Sequence, residues 1–294
     1  MRSQDILNQP ALFLTQNQRE LYFEQGYLMF PGLISTGELE EFRALVSRIV
    51  DSTRTIMKSS NEVDLEKGHS AESPKLRRIT YVDDKDPLFW QFCADSIITD
   101  IAADLLGPDV RFRDMMLNFK WADGGAEVKW HQDICFYPHT HLGSMQFLVF
   151  LEEVSSEQGP LKVIPASHKG PIFEHYDDSN EWTGAIGPAD LATAGVDDAT
   201  ELTGPAGTVS VHHCCTIHGS SCNNSASGRP AFVMTYTAAD AMPYTAPPYP
   251  SSHYRVLVRG DEPRYARHEE VRIPLPPDWS GGYTSIFDHQ EDNS

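Results

Sequence analysis

Two histidines and one aspartate have the residue types and the spacing to bind a single metal ion. His131 and Asp133 lie two positions apart, and His218 follows far along the chain. Two imidazoles and one carboxylate on one face of a metal are the ligand pattern of non-haem Fe(II) oxygenases, which keep the opposite positions open for co-substrate and oxygen. The pattern makes an oxygenase the leading hypothesis.

The spacing of the first two ligands fits a β-strand. Side chains at positions i and i+2 of a strand point to the same face, so His131 and Asp133 can bind one metal while Gln132 points away. The third ligand must come from another strand. Residues 207–218 are rich in β-branched side chains, which predicts a strand that delivers His218. A His-x-Asp pair by itself is more often a surface pair than a metal site.

Arg229 opens a second apolar, strand-like run over 230–236. A guanidinium in this position can form a fork-shaped pair with a carboxylate, which predicts a dicarboxylate co-substrate. The alternative is a surface arginine paired with one of the many acidic side chains. Its place at the start of an apolar strand favours burial with a partner.

The cysteines offer a competing metal site. The five cysteines are an odd number in a chain without an export signal, which predicts free thiols in a reducing compartment. A zinc site from Cys214, Cys215, His218 and Cys222 is disfavoured because adjacent strand residues face opposite ways and no paired C-x-x-C motif exists. Of His212 and His213, we expect one to face the core and the other solvent, with neither needed at a metal.

Composition excludes several classes of partner. The 294 residues carry 42 acidic and 23 basic side chains, and a net charge of -19 repels a nucleic acid backbone. No apolar run approaches the roughly 18 residues of a membrane span, and the N-terminus lacks an apolar signal core. We therefore expect a cytoplasmic protein with a small-molecule partner, and the oligomeric state stays open.

The N-terminal third is predicted to be largely helical. Thr15 and Gln18 form a capping-box pattern for a helix that Gly26 ends, and a short buried strand over 27–30 follows. A second capping box at Ser35 and Glu38 opens a helix. Its apolar stripe consists of Leu39, Phe42, Leu45, Val46, Ile49 and Val50. Residues 56–86 are polar and predict a mobile loop, and residues 88–106 predict two helical segments.

After residue 108 the pattern becomes that of a β-sandwich or barrel. Short strands separated by Gly, Pro, Asp and Ser are predicted over 110–121, 128–133, 145–151, 161–164, 208–218 and 231–237. The stretch 169–205 is long enough to be a lid over a pocket mouth. The proline-dense segments 243–250 and 274–277 are expected to run irregularly along the surface.

In their order along the chain, these motifs resemble the phytanoyl-CoA dioxygenase (PhyH-like) family of Fe(II)/2-oxoglutarate oxygenases. The matching segments are Gln18–Ile34, Trp130–Asp133, Leu151–Val154, Gln158–Leu161, Ile164–His168, His218–Ser220 and Arg229. This combination is specific, whereas a single His-x-Asp pair is weak.

The resemblance implies a mainly β fold with flanking α-helices, a double-stranded β-helix or cupin-like jelly-roll barrel. The whole chain, 1–294, would be one domain, with a helical decoration over 1–108, the jelly-roll core over 109–240 and a C-terminal extension over 241–294. His131, Asp133 and His218 would hold Fe(II), and Arg229 would bind the far carboxylate of 2-oxoglutarate beside Ser220. Further residues expected near the co-substrate are Asn118, Lys120 and Gln146.

The implied reaction oxidises a C–H bond of a small, partly apolar metabolite with O2 and 2-oxoglutarate and releases succinate and CO2, with ascorbate as reductant in vitro. Hydroxylation is favoured over halogenation because halogenating relatives have a small residue where this chain has Asp133. Substrate walls are expected from Trp130, Phe136, Tyr137 and Met116, which flank the ligands or share their strands. The alternatives are a catalytically silent ligand-binding member of the fold and a non-oxidative, cupin-like metalloenzyme.

Overall fold

A computed structural model describes residues 1–122, 125–279 and 285–291, and their strands form two antiparallel sheets. The strands are β1 (Tyr27–Phe30), β2 (Val63–Leu65), β3 (Leu76–Ile79), β4 (Val110–Asn118), β5 (Val128–His131), β6 (Ser144–Phe150), β7 (Leu161–Val163), β8 (Thr200–Glu201), β9 (Val209–His213), β10 (His218–Ser220), β11 (Ala231–Ala238) and β12 (Leu257–Arg259). The large sheet has the order β1-β9-β6-β11-β4-β3-β2, with β12 also paired to β4, and the small sheet has the order β5-β10-β7-β8.

The two sheets pack face to face through an apolar layer. Leu148 and Val233 of the large sheet contact Leu161 and Val163 of the small sheet in one buried cluster. Antiparallel strands with alternating inward and outward side chains produce such a layer when two sheets share a core. The predicted mainly β jelly-roll fold is confirmed.

The helices are α1 (Ser3–Leu7), α2 (Gln16–Gln25), α3 (Thr36–Ser52), α4 (Val82–Lys85), α5 (Pro87–Ala94), α6 (Ile97–Leu106), α7 (Pro188–Leu191) and α8 (Ile286–Glu291). Both predicted capping boxes are present at the starts of α2 and α3, and Gly26 ends α2 in a left-handed conformation (φ 82°). The apolar faces of α3, α5 and α6 pack against the large sheet in the main core cluster. The helices therefore support the sheet from its outer face. None of the described helices is long and apolar enough to cross a membrane.

Residues 56–86 do not form the loop that their polarity predicts. They contain β2, β3 and α4, and β3 pairs with β4 at Arg78 and Ile79. The prediction was wrong because both strands are only three or four residues long, and pairing with the edge of the sheet orders a segment whose local pattern is weak.

The predicted single strand over 208–218 is also wrong, because the chain changes sheets within it. Strand β9 ends at His213, residues 214–217 turn, and β10 begins at His218 in the small sheet. The turn places Cys214 and Cys215 between the sheets, where both are buried. The third predicted ligand therefore opens a strand rather than ending one.

One expectation about the surface needs correction. None of residues 169–205 belongs to the wall of the cavity beside the predicted ligands, and this stretch packs behind that wall, with Trp182 against Phe136. The proline-dense segments 243–250 and 274–277 contain no helix or strand, as expected, whereas other parts of the C-terminal tail supply β12 and bring residues 285–289 to the cavity. Apolar side chains such as Phe287, which is 7% exposed, stabilise this docking by leaving water.

Candidate active site

His131, Asp133 and His218 converge between the sheets. His131 ends β5, and His218 opens β10 directly opposite it in the antiparallel register. Asp133 follows in a short 3-10 turn. Its Oδ1 lies 3.9 Å from His131 Nε2 and 3.7 Å from His218 Nε2, and all three side chains are buried. The three ligand atoms lie within 4.8 Å of one another.

Gln132 points away from this centre, as the strand alternation predicts. Its side-chain nitrogen Nε2 donates to the backbone carbonyls of Pro171 (3.1 Å) and Cys215 (2.9 Å). Its side-chain oxygen Oε1 accepts from the backbone N–H of Phe173 (2.9 Å). The side chain is fully buried. Gln132 therefore ties three chain segments together behind the ligands and fixes the direction in which its neighbours point.

Hydrogen bonds at the far ring nitrogens orient both imidazoles. His131 Nδ1 lies 2.8 Å from the Lys129 carbonyl and His218 Nδ1 lies 2.9 Å from the Thr216 carbonyl, so each Nδ1 carries the proton and donates it. This tautomer leaves the Nε2 lone pairs directed toward Asp133. Burial lowers the pKa of both histidines, which keeps them neutral.

Asp133 is held as a carboxylate. Burial opposes its ionisation, but the imidazole of His218, a hydrogen bond from His212 and the nearby His131 outweigh burial and hold the pKa of the carboxyl well below its usual range. His212 Nε2 lies 3.1 Å from Asp133 Oδ2, and its ring is fully buried. The sequence analysis correctly placed one of the two adjacent histidines in the core but missed this contact. The alternation of side chains along β9 predicts which way His212 points, but it does not predict that Asp133 is its hydrogen-bond partner.

This donor set fits a divalent transition metal. Two neutral imidazoles and one carboxylate are deprotonated ligands, as metal binding requires. Ligand atoms a few ångströms apart can share one ion with bonds of about 2 Å. The competing zinc site does not form, since no described metal-binding group joins His218 to a cysteine and Cys222 is exposed.

A cavity that opens to solvent lies beside the three ligands, and the empty space in the cavity and its open mouth together is about 1150 Å³. Arg229 lies two residues before the start of β11, and its side chain forms part of the cavity wall. Only 8% of the residue is exposed. No acidic side chain among the described residues pairs with it, and its Nε has no hydrogen-bond partner there. Burial lowers the pKa of the guanidinium to about 10, so it stays cationic at neutral pH. A buried cation of this kind fits a carboxylate ligand, and the surface-arginine alternative is excluded.

Most other predicted site residues line the same cavity. They are Ser220, Asn118, Gln146, Phe136, Tyr137 and Met116. Lys120 and Trp130 do not line it. The Lys120 ammonium donates to the Ser221 carbonyl, and Trp130 packs in a separate apolar cluster with Ile186. Trp130 lies on β5 as predicted, whereas Lys120 lies beyond the end of β4, and neighbouring segments draw both side chains away from the cavity.

Several wall residues were missed by the sequence analysis. They are Arg78, Arg113, Thr235, Tyr249, Trp279 and Phe287. Arg78 lies on β3 and Phe287 on α8, in segments predicted to be loop or surface tail. Arg113 and Thr235 lie on predicted strands, and alternation along β11 places Thr235 on the same face as Val233.

A jelly-roll fold that holds two histidines and a carboxylate beside an open cavity defines the class of non-haem iron oxygenases. The sequence model of the phytanoyl-CoA dioxygenase (PhyH) family matches residues 22–231. This chain belongs to that family, as the resemblance predicted.

Individual relatives agree with this assignment. The chain is 31% identical over 284 residues to a probable alpha-ketoglutarate-dependent hypophosphite dioxygenase of Stutzerimonas stutzeri, covering 94% of this chain and 96% of the relative. It is 30% identical to L-proline trans-4-hydroxylase of Streptomyces griseoviridis, covering 76% of this chain and 86% of the relative.

Solved structures show the same fold. EctD from S. alaskensis with 2-oxoglutarate and 5-hydroxyectoine superposes with a TM-score of 0.67 at 21% identity, covering 90% of this chain and 91% of that chain. The non-heme alpha ketoglutarate dependent carbocyclase SnoK from nogalamycin biosynthesis superposes with a TM-score of 0.61 at 25% identity, covering 78% of this chain and 85% of that chain.

Proposed function

We propose that this protein is an Fe(II)- and 2-oxoglutarate-dependent dioxygenase that hydroxylates a C–H bond of a small molecule. The observation that carries the proposal is one cavity that contains both the buried His131-Asp133-His218 set and the buried guanidinium of Arg229, which has no acidic partner among the described residues. Family membership supports it, as do relatives named as alpha-ketoglutarate-dependent enzymes. Those named for L-proline and ectoine act on small polar molecules.

His131, Asp133 and His218 would hold the iron, and Arg229 would bind the far carboxylate of 2-oxoglutarate. When both are bound, they supply the oxidising power that inserts one oxygen atom of O2 into the substrate while 2-oxoglutarate leaves as succinate and CO2. The protein's own task is placement. His212 holds the carboxylate of Asp133 in one orientation, so that its Oδ1 faces both ligand histidines.

Other wall residues control what reaches the centre. Leu148 and Val233 of the large sheet and Leu161 of the small sheet form an apolar part of the cavity wall. These side chains exclude water from the reacting atoms, which prevents loss of the oxidising equivalent to solvent. Ser220 and Asn118 line the cavity together with Arg229 and would hydrogen-bond the co-substrate.

Asp133 also bears on the type of oxidation. Its carboxylate occupies a position beside the ligand histidines that a halide would need to share. We therefore propose hydroxylation rather than halogenation. We also propose a reducing compartment, the cytoplasm, because all five cysteines are free and four of them are buried.

The test is metal and co-substrate binding by anaerobically purified protein, followed by succinate formation with ascorbate and O2. The parent should bind one Fe(II) and 2-oxoglutarate, whereas Asp133→Ala and His218→Ala should lose iron. Arg229→Lys keeps the positive charge but cannot donate two parallel hydrogen bonds to one carboxylate. The variant should therefore keep iron and bind 2-oxoglutarate at least about tenfold more weakly. Arg43→Gln, which removes a surface ion pair with Glu152, is the matched control.

The same experiment separates the alternatives. Binding of 2-oxoglutarate with no succinate formed on any substrate, and none without substrate, would favour a silent member of the fold. Preferential retention of zinc or manganese without 2-oxoglutarate binding would favour a non-oxidative metalloenzyme. Unchanged iron affinity in both ligand variants would overturn the site assignment.

A further inference from the structure

The cavity contains a second buried guanidinium, far from Arg229. Arg113 lies on β4 and lines the cavity, whereas Arg229 pairs through its backbone with Lys120 beyond the other end of that strand. Seven residues of extended chain separate positions 113 and 120, which corresponds to roughly 20 Å. A co-substrate that binds Arg229 through one carboxylate and the metal ligands' ion through its other end does not need Arg113. Arg113 is therefore available to a different ligand.

Arg113 is held rigidly. Its guanidinium carbon lies 4.2 Å from the centre of the Tyr137 ring, in a cation–π contact, and one of its terminal nitrogens donates to Asp114. Arg113 is 7% exposed and Asp114 is 5% exposed. A guanidinium fixed by a ring on one side and a carboxylate on another presents its remaining N–H groups in one direction, which gives a ligand a preorganised fork.

Two buried polar atoms near Arg113 have no hydrogen-bond partner among the described residues. Thr235 is opposite Asp114 on one side and opposite Gln146 on the other, so the three side chains form one cross-strand row. Thr235 is fully buried, and its hydroxyl and Asp114 Oδ1 have no hydrogen-bond partner among the described residues. Nearly all buried polar groups in proteins have a hydrogen-bond partner. An unsatisfied hydroxyl in the cavity wall, with an unsatisfied carboxylate oxygen on the residue paired with it across the sheet, therefore indicates an absent ligand.

The charges of the cavity wall indicate the net charge of that ligand. The two positive charges of Fe(II) and the positive charge of Arg229 balance Asp133 and the two carboxylates of 2-oxoglutarate. The other arginines of the described wall already have acidic partners, Arg113 with Asp114 and Arg78 with Asp64. A net anion or cation in this buried space would be uncompensated, and burying an uncompensated charge is costly.

We propose that Arg113, Asp114, Thr235 and Gln146 form the subsite for the polar end of the substrate, and that the substrate is a zwitterion of the amino-acid type. Its carboxylate binds the free N–H groups of Arg113. Its ammonium group donates to Asp114 Oδ1 and the Thr235 hydroxyl. The inference rests on the proposed function, because it treats the triad and Arg229 as occupied by iron and 2-oxoglutarate.

The test measures binding without turnover. Anaerobic protein loaded with Fe(II) and 2-oxoglutarate is titrated calorimetrically with the twenty standard amino acids, and the tightest ligand is compared with its analogues that lack the amino group or the carboxylate. We expect the zwitterion to bind at least about tenfold tighter than either analogue, since each analogue leaves a buried charged partner unpaired. Hypophosphite and a coenzyme A thioester serve as anionic probes.

Variants locate the subsite. The double substitution Arg113→Gln with Asp114→Asn removes both charges without leaving either one alone, and it should weaken the zwitterion at least tenfold while the affinity for 2-oxoglutarate stays within about twofold. Arg111→Gln is the control, because Arg111 lies on the same strand but pairs with Glu262 outside the cavity wall.

Thr235→Val covers the case in which the double variant does not fold. It removes an unsatisfied hydroxyl, so the free protein should be at least as stable to heat while zwitterion binding weakens. A purely structural threonine would not give these opposite effects. Tighter binding of an anionic probe than of any zwitterion, or zwitterion binding unchanged in both variants, overturns the subsite. Loss of 2-oxoglutarate binding by the parent protein would instead overturn the proposed function.

Discussion

At the scale of single residues, the metal site depends on which atom of each side chain is already engaged. Backbone carbonyls accept hydrogen bonds from Nδ1 of His131 and of His218, and His212 donates a hydrogen bond to one oxygen of Asp133. Only two nitrogens and one oxygen then remain for an ion. The ligand types and spacing were readable from the sequence. Asp133 lies in a 3-10 turn beyond the predicted strand, but the extended backbone at Gln132 (φ -125°, ψ 125°) still directs His131 and Asp133 to one side, as local alternation predicts. The supporting partners were not, because they come from distant segments.

His212 should act as a positioning residue for the metal. His212→Asn removes the hydrogen bond to Asp133 Oδ2, and the freed carboxylate can rotate away from its shared orientation. We expect the dissociation constant for Fe(II) to rise about 10- to 100-fold, the usual effect of losing such a supporting partner. Anaerobic titration measures it.

The neighbouring histidine supplies a matched control for that prediction. His213 is half-buried, and its Nδ1 accepts from the Cys215 amide rather than contacting a ligand. His213→Asn should leave the Fe(II) affinity within about twofold. Equal losses in both variants would show that general disruption of the 212–215 region, not orientation of Asp133, causes the effect.

At the scale of secondary structure elements, β10 determines where His218 and Ser220 lie. This three-residue strand is held between β5 and β7. A Cβ atom at Gly219 would lie 2.9 Å from the Val128 carbonyl oxygen and 3.3 Å from Trp130 atoms. The glycine is therefore required by the close approach of β5, and any side chain must push the two ligand-bearing strands apart.

Gly219→Ala should thus weaken iron binding as well as the fold. The added methyl group displaces His218 from His131, and we expect at least about a tenfold loss of Fe(II) affinity with a fall in unfolding free energy on the order of 1–3 kcal/mol. Gly37→Ala is the control, since a Cβ there meets nothing within 4 Å. A Gly219→Ala protein with parental iron affinity would contradict the argument.

The C-terminal helix α8 is the element that the sequence predicted least well. Ser285 donates to Asp64 Oδ2 at 2.7 Å, and Gln290 accepts from the Lys129 amide at 2.8 Å and donates to the Gly184 carbonyl at 2.9 Å. These contacts fasten α8 over the cavity, beside the strand that carries His131. A helix of six residues with no strong apolar period gives no local signal, and only its docking site gives it order.

Gln290→Ala should loosen this cover without touching the metal. We expect the iron and 2-oxoglutarate affinities to persist, while the ratio of succinate formed to substrate hydroxylated rises severalfold, because water reaches the centre more often. Measuring both products in one reaction gives this ratio. Gln16→Ala, which removes an exposed contact within α2, should keep the parental ratio. A parental ratio in Gln290→Ala would rule out a sealing role for α8.

At the scale of the whole molecule, the sequence predicted the fold where patterns were long and failed where they were short. The capped helices α2 and α3 and the core strands were anticipated from periodicity, and the order of motifs gave the family. The sheet crossing at residues 214–217 and the β2–β3 hairpin were missed, because each depends on tertiary pairing of segments of five residues or fewer. The missed cavity residues Arg78 and Phe287 belong to such segments or to the tail.

Buried neutral histidines should make the fold sensitive to mild acid. Burial, with Arg113 nearby, lowers the pKa of His139 to about 3, and burial beside His213 lowers the pKa of His168 to about 4. In the unfolded chain both titrate near pH 6.5. Below that pH these histidines bind protons in the unfolded chain but stay neutral in the folded protein. Their contribution to the free energy of unfolding is therefore complete above about pH 7 and is lost as the pH falls toward 3–4.

His139→Asn isolates one such contribution. Asparagine can still donate to the Tyr137 carbonyl, which His139 Nδ1 contacts at 2.5 Å, but it does not titrate. The parent should lose about 2 kcal/mol more unfolding free energy between pH 7 and pH 5 than the variant does. Urea unfolding of the metal-free protein at both pH values measures the difference, with the exposed His268→Asn as control. Equal losses in parent and His139→Asn would mean that His139 accepts a proton in the folded state, and the acid sensitivity would then have to come from other groups.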